Sequence, residues 1–237
     1  IKKYKLLFIG FEVDCIICNM QVIKGNIFRT KCQTIVNTIN CVGVMGAGLA
    51  LEFRLRYPKM YKKYVQLCKN QQIKIGLLWL YKHSNKRWVL NFPTKEHWKF
   101  SSRSEYLKAG LQKFLATYKE KKILSVAFPL LGANQGGLSE SLSLEIMRSY
   151  LRDCDIPVEI YQYDPFAYDD LYLKFKNLFL SLNIDTLSKE TGLKKNYIKK
   201  IKFALEMPKI RSLSRLATIK GIGLNTLEKS FQYVMRQ

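Results

Sequence analysis

Two glycine-rich turns, each between an apolar run and a helical pattern, constrain the fold of this chain more than any other feature. The first is Gly43-Val44-Met45-Gly46-Ala47-Gly48 and the second is Gly132-Ala133-Asn134-Gln135-Gly136-Gly137. Glycine lets a backbone approach an anion closely, and a helix start presents free N–H groups. Two such turns at the carboxyl ends of strands can hold a diphosphate between them. The order G-x-x-G-x-G matches neither the dinucleotide fingerprint nor the Walker motif, so glycines that serve only tight turns are the alternative.

The first 167 residues alternate between predicted strands and helices. Strands are predicted at 34–37, 75–81, 87–91, 123–130 and 158–163, and helices at 49–69, 104–118 and 142–152. This order predicts an α/β fold, with a mostly parallel or mixed sheet covered by helices on both faces. From Tyr168 onward no strand pattern appears, and about five short helices are predicted. We therefore place a domain boundary near Ala167.

The charge of the chain predicts a polyanionic partner. Its 237 residues include 40 Lys and Arg against 18 Asp and Glu, a formal net charge of +22. Nucleic acid is the first candidate, and a lysine-favouring genome rich in A and T is the alternative. The longest apolar runs, at 6–11 and 76–81, are far shorter than the ~20 residues that cross a bilayer. The sequence therefore predicts no membrane association and a cytoplasmic location.

Six cysteines are spread along the chain, which argues against a disulfide framework. Cys15 and Cys18 have the spacing of metal ligands, and Cys32 and Cys41 would complete four thiolates. Their neighbours are large and apolar, as in strands. Reduced and partly buried thiols are therefore favoured over zinc, and no metal site is predicted.

Several segments resemble a macrodomain, the ADP-ribose-binding fold, over about residues 22–163. Ile23-Lys24-Gly25-Asn26-Ile27-Phe28, Ile35-Val36-Asn37-Thr38-Ile39-Asn40 and the first glycine turn with Leu49-Ala50 resemble its opening. Asn91-Phe92-Pro93-Thr94-Lys95-Glu96-His97-Trp98, followed by Ser102-Arg103 and Tyr106-Leu107, is similar to one subgroup. That subgroup contains the DarG antitoxins, which remove ADP-ribose from DNA bases, and the terminal ADP-ribose glycohydrolases. The resemblance implies a three-layer α/β/α macrodomain with a mixed sheet over residues 1–167.

The resemblance also implies a role for particular residues. Lys95 of the Thr-Lys pair would act at the anomeric carbon, and Asn40 would position the ribose. The segment from Gly25 to Ile27 would line the adenosine pocket, and the two turns would hold the diphosphate and distal ribose. The implied ADP-ribose-binding residues are Gly25, Asn26, Ile27, Asn37, Gly43, Val44, Met45, Gly46, Ala47, Gly48, Thr94, Pro129, Leu131, Gly132, Ala133, Asn134, Gln135, Gly136, Gly137 and Leu138. ADP-ribose is then ligand or product, and no cofactor is implied.

A lysine suits this chemistry when its pKa is depressed. Its amine can attack or protonate at an anomeric carbon that carries developing oxocarbenium charge. We expect Lys95 to lie partly buried beside Phe92 and Trp98, which would favour the neutral amine. The alternative is a lysine that contacts phosphate or DNA.

One position departs from the subgroup. Its members commonly carry an acid just after the second turn, where this chain has Ser139 followed by Glu140. We predict that Ser139 caps a helix whose apolar face begins at Leu142. A binding-only macrodomain therefore stays open. His97 is an alternative general acid, although a structural or DNA-facing role is favoured.

Residues 168–237 resemble a Cro/repressor-type (XRE-like) helix-turn-helix domain. The spacing from Leu187 through Gly192 to Ile198 and Ile201 carries the resemblance, with Leu193, Ile198 and Ile201 pointing inward. The predicted DNA-binding residues of the recognition helix are Lys194, Lys195, Asn196, Lys199 and Lys200. The lysines would contact phosphates, and Asn196 would pair with an adenine edge. A helical bundle that binds a protein partner is the alternative.

Together these features predict an ADP-ribosyl glycohydrolase that acts on ADP-ribosylated DNA and grips double-stranded DNA through its smaller all-α domain. A toxin–antitoxin role, with a cognate ADP-ribosyltransferase toxin as partner, follows from the resemblance alone. One alternative is a transcription regulator that senses ADP-ribose or an NAD metabolite without turnover. Another is an ADP-ribosyl-protein hydrolase.

Overall fold

The computed structural model describes residues 19–237, and its N-terminal part is built on one six-stranded sheet. The strands are β1 (Met20–Gly25), β2 (Thr34–Asn40), β3 (Trp79–Lys82), β4 (Trp88–Lys95), β5 (Val126–Pro129) and β6 (Val158–Tyr163). Their order across the sheet is β1-β6-β5-β2-β4-β3. Among the strand pairs of the described residues, only the edge pair of β3 with β4 is antiparallel. The predicted mixed sheet is confirmed.

Two pairs of helices cover the two faces of this sheet. They are α1 (Gly48–Arg56), α2 (Pro58–Lys69), α3 (Ser104–Thr117) and α4 (Glu140–Leu151). Successive strand residues point to opposite faces, so Val36 packs in the core under α3 and α4, and Ile35 in the core under α1 and α2. The result is the predicted three-layer α/β/α arrangement.

The helix predicted over 49–69 is wrong in one respect, because it consists of two helices. Pro58 has no backbone N–H to donate, and it disfavours the helical conformation of the preceding residue. Tyr57 accordingly adopts φ −127° and ψ 64°, and Pro58 then occupies the first turn of α2. A proline is well accommodated at that place.

Several predicted strand bounds differ from the structure. The strands predicted over 34–37 and 87–91 extend further, to Asn40 and Lys95, and the strand predicted over 75–81 spans Trp79–Lys82. The strand predicted over 123–130 spans Val126–Pro129, because the backbone N–H of Leu124 is bound by the side chain of Gln33. Leu142 does not begin the apolar face of α4 as predicted. It is exposed, whereas Ser143, Ile146 and Met147 are buried.

The chain after β6 is helical, as predicted. It contains α5 (Tyr172–Ser181), α6 (Ile184–Thr191), α7 (Lys195–Glu206), a 3-10 helix (Leu213–Thr218) and α8 (Leu224–Arg236). α6 ends at Gly192, whose φ of +64° is the left-handed conformation that glycine tolerates. These elements form what we call the helical part.

The helical part packs directly on α1, which the sequence did not predict. Leu51 and Leu55 of α1 are buried in the same apolar cluster as Leu213 and Phe231. Arg54 forms an ion pair of 3.1 Å with Glu228 of α8. The helix that begins at the first glycine turn is therefore shared between the two parts of the chain.

The N-terminal segment is only partly described. β1 begins at Met20, lies at one edge of the sheet and pairs with β6. Residues 1–18, including Cys15 and Cys18 of the proposed cysteine cluster, lie outside the described residues. Within residues 19–237, no helix is long and apolar enough to cross a membrane.

Candidate active site

Three predicted functional features meet at one edge of the sheet. The first glycine turn follows β2, the second follows β5, and Lys95 ends β4. β5, β2 and β4 are parallel neighbours, so their carboxyl ends lie side by side. Such an edge is where α/β folds place their ligands.

Asn40 shapes the first turn. Its Oδ1 accepts the backbone N–H groups of Val42 (3.1 Å) and Val44 (3.3 Å), and its Nδ2 donates to the Val44 carbonyl (2.6 Å). The Tyr64 hydroxyl donates to the Asn40 carbonyl at 2.7 Å and also lies 3.0 Å from Oδ1. Both polar atoms of the Asn40 side chain are thus occupied by the protein. The predicted contact of Asn40 with a ribose stays a prediction.

The first turn leads into α1, and the start of this helix is exposed. Gly46, Ala47 and Gly48 are exposed, and α1 has neither a side-chain cap nor an acidic residue in its first turn. Its first N–H groups therefore have no intrahelical partner and lie at the positive end of the helix dipole. This geometry is suited to an anion.

The second turn is closed by its own backbone. Gly132 and Gly137 have φ of +67° and +85°, and the N–H of Leu138 donates to the Gly132 carbonyl at 3.0 Å. A Cβ on Gly136 would lie 2.9 Å from the Ser102 Oγ. Glycine is therefore required here both for left-handed backbone and for close approach.

Lys95 contacts the second turn, which in turn lies close to the first turn. Its Nζ donates to the Gln135 carbonyl at 2.5 Å, and the Gln135 Cγ lies 3.5 Å from the point a Cβ on Gly48 would occupy. Partial burial lowers the pKa of Lys95, as the sequence predicts. The predicted neighbours differ, because Phe92 is buried against Gly110 of α3 and the Trp98 ring lies against His97.

The side chains of two predicted ligand residues lie inside the fold, and their predicted contact with ADP-ribose stays a prediction. Asn37 and Met45 are fully buried. The Asn37 Nδ2 donates to the Asn91 Oδ1 at 2.9 Å and lies 4.0 Å from the Met45 sulfur. Their side chains therefore support the first turn from inside the fold.

The predicted adenosine segment lies at the same edge of the sheet. Gly25 ends β1, and a Cβ there would meet nothing within 4 Å. Asn26 and Ile27 are buried, and the Asn26 Oδ1 accepts the Phe28 N–H at 3.0 Å. Only Gly25 of this segment presents open space.

Ser139 caps α4 as predicted, since its Oγ accepts the Leu142 N–H at 3.3 Å. No carboxylate therefore comes from this position, and Glu140 points to solvent. The His97 Nδ1 accepts the Lys99 N–H at 3.2 Å, and the ring packs between Trp98 and Phe100. These contacts agree with a structural role for His97.

A small cavity lined by residues that follow Lys95 in the sequence was not predicted. It has a volume of about 200 Å³ and is lined by Glu96, Phe100, Ser101, Arg103 and Tyr106. The alternation of aromatic and cationic residues from Trp98 to Tyr106 is the sequence signal that could have indicated it.

The start of α7 presents the expected polar surface. Leu193, Ile198 and Ile201 are buried. The predicted DNA-binding residues are all exposed: Lys194, Lys195, Asn196, Lys199 and Lys200. Lys195 forms an ion pair with Asp185 of α6, so it is the least available of these lysines.

The described cysteines do not form a metal site. Cys32, Cys41, Cys68 and Cys154 are free thiols. Within residues 19–237 no group of three His, Cys, Asp or Glu side chains is placed to hold a metal ion.

Comparison with known proteins identifies the fold. The family model of the Macro domain matches residues 36–147, which include both turns and Lys95. The N-terminal part of this chain is a macrodomain. The macrodomain of Mycobacterium tuberculosis DarG aligns with it at 36% identity and a TM-score of 0.58, covering 60% of this chain and 96% of that one.

Two further relatives carry this macrodomain within longer chains. A DNA ADP-ribosyl glycohydrolase of Thermus aquaticus is 36% identical over 149 residues, which are 62% of this chain and 41% of that protein. A DNA ADP-ribosyl transferase–glycohydrolase fusion protein of Thermosipho africanus is 34% identical over 60% of this chain and 42% of its own length. The structure of Thermosipho africanus DarTG in complex with ADP-ribose aligns at a TM-score of 0.58 and 34% identity, covering 62% of this chain and 42% of that one. This chain spans about two fifths of the length of these curated relatives, and the family model ends before α5.

Proposed function

We propose that this macrodomain releases ADP-ribose from ADP-ribosylated DNA. The contact of Lys95 with the second turn, beside the open start of α1, carries the proposal. It would bring an amine of lowered pKa to the end of a bound diphosphate sugar. The relatives named as DNA ADP-ribosyl glycohydrolases support the choice of substrate.

In this proposal Lys95 acts at the anomeric carbon of the distal ribose. The neutral amine can attack that carbon while the bond to the DNA base breaks, and water then cleaves the lysine–ribose bond, which releases ADP-ribose and restores the amine. Alternatively, the protonated amine can donate a proton to the leaving base while water attacks the carbon. Burial shifts the equilibrium toward the neutral amine. The α1 N-terminus would meanwhile stabilise the diphosphate.

The serine at position 139, where the subgroup commonly carries an acid, favours a second candidate function. Since Ser139 caps α4, the second turn supplies no carboxylate to Lys95. A macrodomain that binds ADP-ribose without releasing it is therefore the second candidate. Such a protein would sense ADP-ribose or a related NAD metabolite.

The deciding experiment incubates the full chain with ADP-ribosylated DNA and, separately, with ADP-ribosylated protein, and measures free ADP-ribose. The proposal predicts release from the DNA. Calorimetric binding of ADP-ribose with no release from either substrate would support the sensor. Release from protein alone would support a protein hydrolase.

We propose further that the helical part binds double-stranded DNA through α7. The support is the group of exposed lysines at its start and the left-handed Gly192 between α6 and α7. Neutralising Lys194, Lys199 and Lys200 should weaken binding to all sequences and flatten its salt dependence, because these contacts release counterions. Asn196→Ala should instead relax the preference at one base pair, at a cost of about 1–3 kcal/mol. Unchanged affinity and salt dependence in the lysine variant would leave the helical part as a partner-binding bundle.

We also propose an ADP-ribosyltransferase toxin as the functional partner. The Thermosipho africanus relative joins a DNA ADP-ribosyl transferase and a glycohydrolase in one chain. Co-expression of the full chain with such a transferase should restore growth of the host cell. Equal toxicity with and without the chain would contradict this partner.

A further inference from the structure

An exposed aromatic segment follows Lys95 directly. Trp98 is 50% exposed and Phe100 is 66% exposed. Exposure of large apolar side chains to water is unfavourable. Trp98 is the third residue after Lys95, so their Cα atoms lie at most about 11 Å apart. Residues 97–103, which we call the aromatic loop, therefore border the site of the proposed reaction.

The aromatic loop is held in place by specific contacts. The His97 ring lies against Trp98 with centroids 5.6 Å apart and planes inclined by 27°, and Phe100 lies 5.5 Å from the same ring. The Ser102 N–H donates to the Gly136 carbonyl at 2.8 Å, which ties the loop to the second turn. The two exposed rings thus belong to a loop that is fixed to the second turn, the same turn that the Lys95 amine contacts.

Cationic groups accompany these rings. The Lys99 ammonium lies 5.4 Å from the Trp98 ring centroid, and the Arg103 guanidinium lies 5.7 Å from that of Tyr106. Lys99 and Arg103 are both exposed. Exposed aromatic faces beside basic side chains are the arrangement that binds single-stranded nucleic acid, since bases stack on the rings and phosphates meet the cations.

We propose that the aromatic loop binds the single strand of DNA that carries the modified base, with neighbouring bases stacked on Trp98 and Phe100. The inference rests on the proposed function, because it places a strand beside the bond that Lys95 would cleave. The occupant is a single strand because bases inside a duplex are already stacked. Lys99 and Arg103 would contact its phosphates.

The test compares Trp98→Ala and Phe100→Ala with the parent in the full chain. Leu124→Ala is the matched control, because Leu124 is 68% exposed and lies before β5, at the opposite edge of the sheet. Three quantities are measured: the affinity for an unmodified single-stranded oligonucleotide on the order of eight nucleotides, the KM on an ADP-ribosylated oligonucleotide, and the affinity for free ADP-ribose.

Each aromatic variant should bind the oligonucleotide at least about fivefold more weakly, since stacking of a base on one ring contributes about 1–3 kcal/mol. KM should rise in parallel, with the ADP-ribose affinity unchanged. Lys99→Gln should reduce the slope of log affinity against log salt by about 0.7, the value for one phosphate contact on a single strand. Leu124→Ala should match the parent throughout.

Three results would overturn the inference. The first is parent-like oligonucleotide affinity in both aromatic variants. The second is a loss of ADP-ribose affinity in these variants as large as their loss of oligonucleotide affinity. The third is an equally large loss of affinity for a duplex of the same sequence. Failure of the proposed function is distinguishable from these. If the parent releases no ADP-ribose from modified DNA, that function is wrong, and the binding of unmodified oligonucleotide still decides the role of the aromatic loop.

Discussion

At the scale of single residues, Lys95 carries the chemical argument. Its side chain is half-buried and its amine reaches the Gln135 carbonyl. Burial disfavours the charged form, so the pKa lies below the ordinary value for lysine, about 10.4. The neutral amine is therefore populated at a lower pH than for an exposed lysine.

This shift predicts the pH dependence of ADP-ribose release. If the neutral amine attacks the anomeric carbon, kcat/KM rises with pH, is half-maximal at the pKa of Lys95 and levels off above it; that midpoint lies below the pKa of an exposed lysine. The measurement is kcat/KM for release from modified DNA across about pH 6–10, which covers the range below the ordinary pKa of lysine. A rate independent of pH throughout would exclude the neutral lysine as the acting group.

Single residues also show where sequence reasoning stops. The Ser139 cap could be predicted from the sequence, because capping depends only on the residue that directly precedes the helix. Asn37 and Met45 were predicted to contact the ligand, yet both are fully buried. Motif similarity identifies such residues, whereas their depth depends on packing by helices distant in sequence.

At the scale of elements, the first turn and α1 form the proposed diphosphate site. Gly46 is exposed, and a Cβ there would meet only the Val44 Cγ1, at 3.8 Å. A side chain at this position, two residues before α1, is therefore tolerated by the fold.

Gly46→Glu should abolish ADP-ribose binding, because its carboxylate would occupy the anion position. Gly46→Gln is the matched control of the same shape without charge and should retain more affinity. Isothermal titration with ADP-ribose measures both, and thermal melting confirms that each variant folds. Parent-like binding by the folded Gly46→Glu variant would contradict the proposed site.

α1 also holds the most buried ion cluster of the described chain. Arg56 bonds to Glu52 at 2.9 Å and to Asp170 at 2.7 Å, with Asp169 at 3.9 Å. Its guanidinium lies 3.9 Å from the ring centroid of Phe28. Burial raises the pKa of the Glu52 carboxyl because it disfavours the charged form. The positive charge of Arg56 partly offsets this cost of desolvation.

Arg56→Ala should therefore destabilise the protein by about 3–5 kcal/mol, because it leaves the buried Glu52 carboxylate without its cation. Arg54→Ala is the control, since its pair with Glu228 is partly exposed and contributes about 0–1 kcal/mol. Denaturant unfolding gives both values. Equal small losses would show that the cluster does not tie the elements together.

At the scale of the whole molecule, the two parts share one interface. The sequence predicted the α/β part, the helical part and a boundary near Ala167, because hydrophobic periodicity changes there. It did not predict that Leu51 and Leu55 of α1 are buried by the helical part. An apolar helix face is visible in a sequence, but the element that covers it is not.

Truncation after Ala167 should consequently expose Leu51 and Leu55 and lower the melting temperature. We expect the truncated chain to associate in size-exclusion chromatography more than the full chain does. Replacing both leucines by glutamine in the truncated chain should reverse the association. A truncated chain with the parent melting temperature would show that the interface contributes no stability.

The most direct test of the central claim is the release of ADP-ribose from an ADP-ribosylated oligonucleotide by the parent and by Lys95→Ala, under single turnover. ADP-ribose affinity is measured in parallel. The structure predicts that Lys95→Ala loses release by at least about a hundredfold, the usual scale for a group that acts in proton transfer, while it keeps parent-like ADP-ribose affinity. Release at the parent rate by Lys95→Ala would contradict the assignment of the reaction to this lysine.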